Sequence, residues 1–249
     1  MSSLNSLRLF VDVLNRRLVS SPYDPSTPTL PTLFKDDTFD LEVYPLIENI
    51  FSGLGENPFD PVTSTTLYTT GVMNIGPLTT GTATNYLVAN TSLTAQQKLF
   101  SAEVLSGGSN YNIGDILKIT NGTQVEAAKV EVTAVESGAV TAVKIYDEGA
   151  HTSGIAHPAN GWDTTIFCTA NTNAANCTLL AKFAQTFVGV MALTDASLES
   201  ALLDGSTLSG TTKLEIVLKN GGTSQAGTLR STTILQTDIN ISEDVMTGE

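Results

Sequence analysis

The sequence predicts a mainly β protein: a β-sandwich built from the N- and C-terminal parts of the chain, with a small inserted β-meander module and one short helix. Three observations lead to it. Apolar and polar residues alternate with a period of two in one segment after another. Charged residues are only 15% of the 249, against about 25% in ordinary soluble domains. Thr, Ser, Asn and Gly take their place, and threonine favours strands. Finally, residues 106–157 open with Ser106-Gly107-Gly108 and close in the turn-rich AHTSGIAHPANG, so they read as a unit of their own.

Each element follows from its pattern. In Leu7 to Leu14, Leu7, Leu9, Val11 and Val13 alternate with Arg8, Phe10 and Asp12. Residues 20–33 contain four prolines (SSPYDPSTPTLPTL), which lack the amide donor an interior strand needs. They predict an extended surface arm that reaches a neighbouring subunit. Thr38 to Tyr44 alternates again, with Phe39, Leu41 and Val43 against Asp40 and Glu42. Residues 45–66, broken by Pro, Gly and Asn, predict a long loop. Strands follow at Leu67 to Ile75, Asn85 to Ala89 and Ser101 to Leu105.

The inserted unit has three strands, Asp115 to Thr120, Ala127 to Val135 and Val140 to Tyr146, with turns at Asn121-Gly122 and Ser137-Gly138. After it come strands at Thr164 to Thr169 and Leu179 to Met191. The one helix is Thr194 to Asp204, capped by Thr194 and ended by Gly205. Lys213 to Lys219 and Thr228 to Ile241 are the last strands, joined by a hairpin loop at 220–227. The expected division is 1–105 for the first half of the sandwich, 106–157 for the module and 158–249 for the second half.

Charge and composition exclude several function classes. The net charge is −13 with 12 Lys and Arg spread thinly, so no basic patch exists to displace counterions from nucleic acid. No run approaches the ~20 apolar residues of a membrane span. The N-terminus lacks a basic stretch followed by an apolar core and a cleavage site, so no signal peptide is expected. A soluble protein made in the cytoplasm fits these features.

Candidate chemistry is sparse. There is no GxSxG, HExxH, P-loop or CxxC pattern. Cys168 and Cys177 are either free thiols, as a reducing compartment favours, or a loop-closing disulfide formed after release. A Cys2His2 zinc site would need both of them with His151 and His157, at a spacing that fits no known pattern. The two histidines are expected in exposed loops. Asp36, Asp37, Asp40 and Glu42 form the densest acidic cluster; calcium binding and a solvated strand edge that blocks edge pairing are its two readings, the second preferred. Trp162 and Tyr23, Tyr68, Tyr86, Tyr111 and Tyr146 line either a sugar- or protein-binding surface or the core. Four N-glycosylation patterns, at Asn90, Asn121, Asn176 and Asn240, are expected by chance in so Asn- and Thr-rich a chain. No catalytic, cofactor or metal-binding residue is assigned.

GGSNYNIGDILKITNG, followed by AAKVEVTAVESGAVTAVKIYDEGAHTS, resembles a small module of tailed-bacteriophage virion proteins, particularly tail fibre and baseplate proteins. The usual form has a Gly-Tyr-x-x-Gly-Asp strand, a Val-alternating strand, a Gly-Ala-Val-Thr strand and a Gly-Tyr-Thr close. Here the close is Gly149-Ala150-His151-Thr152, without the tyrosine. LRLFVDVLNRRLV with LFKDDTFDLEVYPL, and FVGVMALTDASLESALLDG with the last two strands, resemble the start and end of the virion-attached domain of fibre and baseplate adaptor proteins.

This resemblance implies a non-enzymatic virion protein of tail, baseplate or fibre attachment. It implies other virion proteins as partners, a homo-oligomer (trimer or hexamer), no cofactor, and no nucleic-acid or membrane partner. Ending at Glu249 without a shaft or tip suits an adaptor, short spike or capsid-surface component. A capsid decoration or head-fibre protein is the nearest alternative. A carbohydrate-binding or carbohydrate-processing protein using Asp40, Glu42 and Trp162 is the alternative of another class.

Overall fold

The computed structural model describes residues 5–34, 38–49, 58–62, 68–76, 89–120, 123–152, 161–168, 174–193, 210–223 and 229–242. All regular elements among them are strands. They are β1 (Asn5–Asp12), β2 (Arg17–Val19), β3 (Leu33–Phe34), β4 (Thr38–Glu48), β5 (Phe59–Pro61), β6 (Thr70–Gly76), β7 (Ala89–Ser109) and β8 (Ile116–Ile119). There follow β9 (Gln124–Glu126), β10 (Lys129–Glu136), β11 (Ala139–Asp147), β12 (Ala150–Thr152), β13 (Trp162–Cys168), β14 (Ala175–Ala192), β15 (Gly210–Thr223) and β16 (Leu229–Ser242). The protein is mainly β, as its alternation predicts. The expected helix at 194–204, the Asn121-Gly122 turn and the strand start at 85–88 lie outside the described residues.

The chain forms two compact units, Met1–Ala95 with Thr186–Glu249, and Gln96–Gln185. In the first unit the strand order is β3-β16-β15-β6-β7-β14-β4-β1-β2. Most pairs are antiparallel, but β1 runs parallel to β4 and β3 parallel to β16. The sheet folds over so that β1 and β2 also lie against β16. Leu7, Leu9 and Val11 of β1, Phe39, Leu41 and Val43 of β4, Leu214, Ile216 and Leu218 of β15, and Ile239 and Ile241 of β16 thereby share one core. Those are the inward positions of each alternating strand, which is why the pattern and the layer agree.

One feature of this unit corrects the sequence reading. The presumed loop at 45–66 is partly strand: β4 continues to Glu48 and pairs with β5. Pro45 is tolerated because β14 pairs with β4 only as far as Val43 and β5 begins pairing at Leu46, so its missing N–H falls in the gap. Its carbonyl still accepts from Val62 N at 3.1 Å. The proline-rich segment lies along its own unit. Ser20 N donates to Ser26 O, Leu30 packs against the core, and Leu33 is buried opposite Ile241.

The second unit has the order β11-β10-β8-β13-β14-β7-β12-β9. It is wider than the expected 106–157 because β8 pairs on one side with β10 and on the other with β13. Trp162 then pairs with Leu179, so β13 and the first part of β14 belong with the meander. Its core contains Leu99, Tyr111, Leu117, Ile119, Val130, Val132, Val140, Trp162, Leu179 and Phe183. Ser137 and Gly138 (φ 50° and 82°) form a two-residue connection between the paired Glu136 and Ala139. Both positive φ values match the turn geometry whose twist suits a hairpin.

The β1–β2 hairpin of the first unit turns on a buried carboxylate. Asp12 Oδ1 accepts from Leu14 N and Asn15 N, both at 3.2 Å, and Oδ2 accepts from Asn15 Nδ2 at 2.8 Å and Arg17 Nε at 3.1 Å. Burial raises the pKa of this carboxyl, but the bonds from Asn15 and Arg17 and the Arg17 charge outweigh it, so the net shift is downward. A folded pKa below the unfolded one gives stability that is present above about pH 4 and is lost as pH falls through the folded value. Asp12→Ala is expected to cost about 1–3 kcal/mol at pH 7, read from urea midpoints. The gap between variant and wild type should shrink on titration below pH 4.

Candidate functional site

The stretch Tyr111-Asn112-Ile113-Gly114-Asp115 is the most motif-like in the sequence, and the structure shows what each residue does. Tyr111 is buried in the core of the second unit; its N donates to Gly138 O at 2.9 Å, and its hydroxyl accepts from Cys177 N at 3.3 Å. One residue thus ties the tip of the β10–β11 hairpin, through its backbone, to β14, through its side chain. Gly114 (φ 92°) makes the left-handed step that an L side chain resists and donates its N–H to Val132 O. The Asp115 carboxylate accepts from Asn112 N at 2.8 Å, closing the turn, while its backbone O accepts from Val132 N. Tyrosine, glycine and aspartate are all engaged in folding.

The other candidate residues separate when placed in the fold. Trp162, offered as a sugar-binding residue, is only 2% exposed; its ring lies 4.7 Å from that of Phe183. Tyr68 packs edge-on against Phe187 in the first unit. Tyr23 is 59% exposed in the first unit and Tyr146 56% exposed in the second, while Tyr86 lies outside the described residues. Asp40 and Glu42 are half-buried on the outward side of β4, as alternation predicts, but β4 is an interior strand between β1 and β14 and not an edge. Glu42 pairs with Arg8 at 2.7 Å across the parallel β1–β4 ladder, and that guanidinium also lies 5.2 Å from the Tyr44 ring centre. Asp36 and Asp37 lie outside the described residues. Trp162 is sealed in the core of the second unit, so its ring presents no face to a sugar.

Cys177 is a buried free thiol whose pKa burial pushes up. The side chain of Cys168 and all of His157 lie outside the described residues. Among the described residues no group of three His, Cys, Asp or Glu is placed to hold a metal ion.

His151 is the residue that sequence reasoning misplaced. It was expected in an exposed loop; it sits in β12, fully buried, opposite Gln97 of β7 and Gln124 of β9. Its ring lies edge-on to Phe183 at 4.7 Å and to Trp162 at 6.4 Å. Neither ring nitrogen has a hydrogen-bond partner among the described residues. The signal was weak: a three-residue strand inside a turn-rich stretch is defined by its neighbours, not by its own pattern.

The outer face of this unit is mixed. Lys129 pairs with Asp147 at 2.7 Å and Glu126 at 3.8 Å, and its ammonium lies 4.9 Å from the Phe167 ring centre. Its pKa is raised, chiefly by the bond to Asp147. Phe167 is 55% exposed; with Tyr146, Ile113 and Val125 it leaves large apolar side chains in solvent. In the first unit an open cleft of about 320 Å³ lies between Ser6, Leu7, Leu33, Phe34 and Phe39.

Compared with family models, curated proteins and solved structures, the chain matches none.

The motif's structural use gives a direct expectation. Tyr111→Phe deletes the hydroxyl that accepts from Cys177 N and meets the Thr164 side chain, and is expected to cost about 0.5–1.5 kcal/mol. Gly114→Ala, with open space around the new methyl, is expected to cost about 1–3 kcal/mol from backbone strain alone. Denaturant melts followed through Trp162 measure both.

Proposed function

We propose that the chain is a non-enzymatic structural component of a bacteriophage virion, a tail, baseplate or fibre-attachment protein that acts through protein–protein contacts in a symmetric homo-oligomer. The observation that carries this reading is the fate of the Tyr-x-x-Gly-Asp stretch. Its polar groups are engaged in closing a turn and anchoring a hairpin, which is what a spacer or contact module requires and a catalytic loop does not. The resemblance to virion modules rests on those same residues.

Further support comes from the surface of the second unit. Tyr146, Phe167, Ile113 and Val125 remain exposed, Phe167 against the ion-paired Lys129. Exposed aromatics with a few fixed charges are the composition of contact surfaces. Of the two histidines, His151 is sealed in the core.

The reading is tested on purified particles. The protein is expected in density-purified virions at a copy number divisible by three or six, and at the tail in labelled electron micrographs. Absence from the particle overturns the reading; location on the head turns it into a decoration or head-fibre protein. In solution the mass should be that of a trimer or hexamer, and a stable monomer both inside and outside the particle contradicts the oligomer. The pair Tyr146→Glu and Phe167→Glu should leave Trp162 emission unchanged while lowering incorporation by about tenfold or more.

A further inference from the structure

We propose that His151 makes the second unit acid-labile: protonation of its imidazole expels β12 from between β7 and β9 and opens the Trp162–Phe183 core. The proposal stands independently of the assembly reading, since it follows from one side chain and its surroundings.

The geometry offers an imidazolium no carboxylate: the residues opposite it, Gln97 and Gln124, carry only neutral amides. His151 is fully buried, Phe183 and Trp162 stand against its ring, and both nitrogens lack a partner among the described residues. A neutral imidazole in that position already forgoes a hydrogen bond; a charged one also forgoes its hydration. The aromatic rings offset part of that by cation–π attraction, but less than an unsolvated charge costs.

The charged groups on the surrounding strands do not compensate. On β7, Lys98 alternates with the buried Gln97 and Leu99 and so points to the other face. On β13 and β14, Asp163 and Lys182 are exposed neighbours of the buried Trp162 and Phe183. On β9, Glu126 is engaged with Lys129, and Glu148 precedes β12 with its backbone O bonded to Leu99 N. Within the core, Cys177 and Tyr111 are titratable, and burial keeps both neutral. Burial is also the sole cause acting on His151, and it lowers the pKa.

The sign follows from linkage. The unfolded histidine takes up its proton near pH 6.5, while the folded one resists. Full stability is therefore present above about pH 6.5 and falls as pH drops toward the folded value. β12 is the element that yields: it has three residues and only two paired positions on each side. Asp147, whose pKa is lowered, keeps its pair with Lys129 throughout the window from pH 7.5 to 4.5.

The experiment uses the full chain. Hydrogen exchange of the amides at 124–126 and 150–152, corrected for intrinsic rates, is expected to accelerate by up to about tenfold per pH unit below about 6.5. Trp162, the one tryptophan, should shift its emission to the red in the same window. His151→Phe, which keeps the aromatic packing, should abolish both changes, and His157→Ala should leave them intact. An unchanged midpoint in His151→Phe, a wild type with no transition down to pH 4.5, or equal acceleration in the first unit would each overturn the proposal. Should His151→Phe fail to fold, imidazole proton resonances in the wild type decide. Titration of His151 at or above about pH 6.5 in the closed protein refutes the mechanism, whereas a ring that stays neutral until β12 opens upholds it.

Discussion

Register in β7 and β14 is the constraint on which the rest of the structure depends. Both strands contribute residues to both units, over 21 and 18 residues respectively. In β14 the odd-numbered Cys177, Leu179, Ala181 and Phe183 enter the core of the second unit, and Phe187 and Met191 enter that of the first. In β7 the same parity gives Leu93 to one core and Leu99 to the other. A slip of one residue in either strand would turn both cores outward at once. From Phe183 to Phe187 every side chain is buried, so the strand has no solvent face there.

That demand on two strands explains how the polar residues are distributed. A chain with few charges has few means of fixing turns, and it places them where register is set. Asp12 fixes the turn after β1, which holds β1 in step with β4. Asp115 fixes the turn before β8, the strand between β10 and β13. The surface is left to Thr, Ser and Asn, and among the described residues the ion pairs mostly cross neighbouring strands: Arg8 with Glu42, Lys129 with Asp147, Lys144 with Glu131, Lys213 with Asp238. Exposed pairs of this type contribute little to stability individually; across a ladder they favour one partner over its neighbour.

Much of the fold was legible because alternation reports a sheet face directly. Leu7 to Val11, Phe39 to Val43, Val130 to Val132 and Leu214 to Leu218 all point inward as their patterns predict. What the sequence concealed depends on partners distant along the chain. Pro45 reads as a breaker, yet it is accommodated where one neighbouring strand ends and another begins. The module boundary at 106–157 followed turn residues, while the actual unit extends to wherever β8 finds hydrogen bonds, on β13 as well as β10. The sequence left Trp162 between a binding surface and the core and put His151 in an exposed loop, because they flank a Gly- and Pro-rich stretch. Phe183, distant from both along the chain, packs against both rings.

His151 shows why a catalytic inventory is a poor guide in such a chain. An imidazole that lacks partners among the described residues and is sealed among aromatic rings performs no proton transfer while the fold is closed, since no substrate reaches it. By packing alone, a phenylalanine would fill the position without sacrificing a hydrogen bond. The histidine therefore couples the stability of the second unit to proton activity, with the three-residue strand β12 as the element between them. Acid lability is the one property that separates His151 from the apolar residues around it.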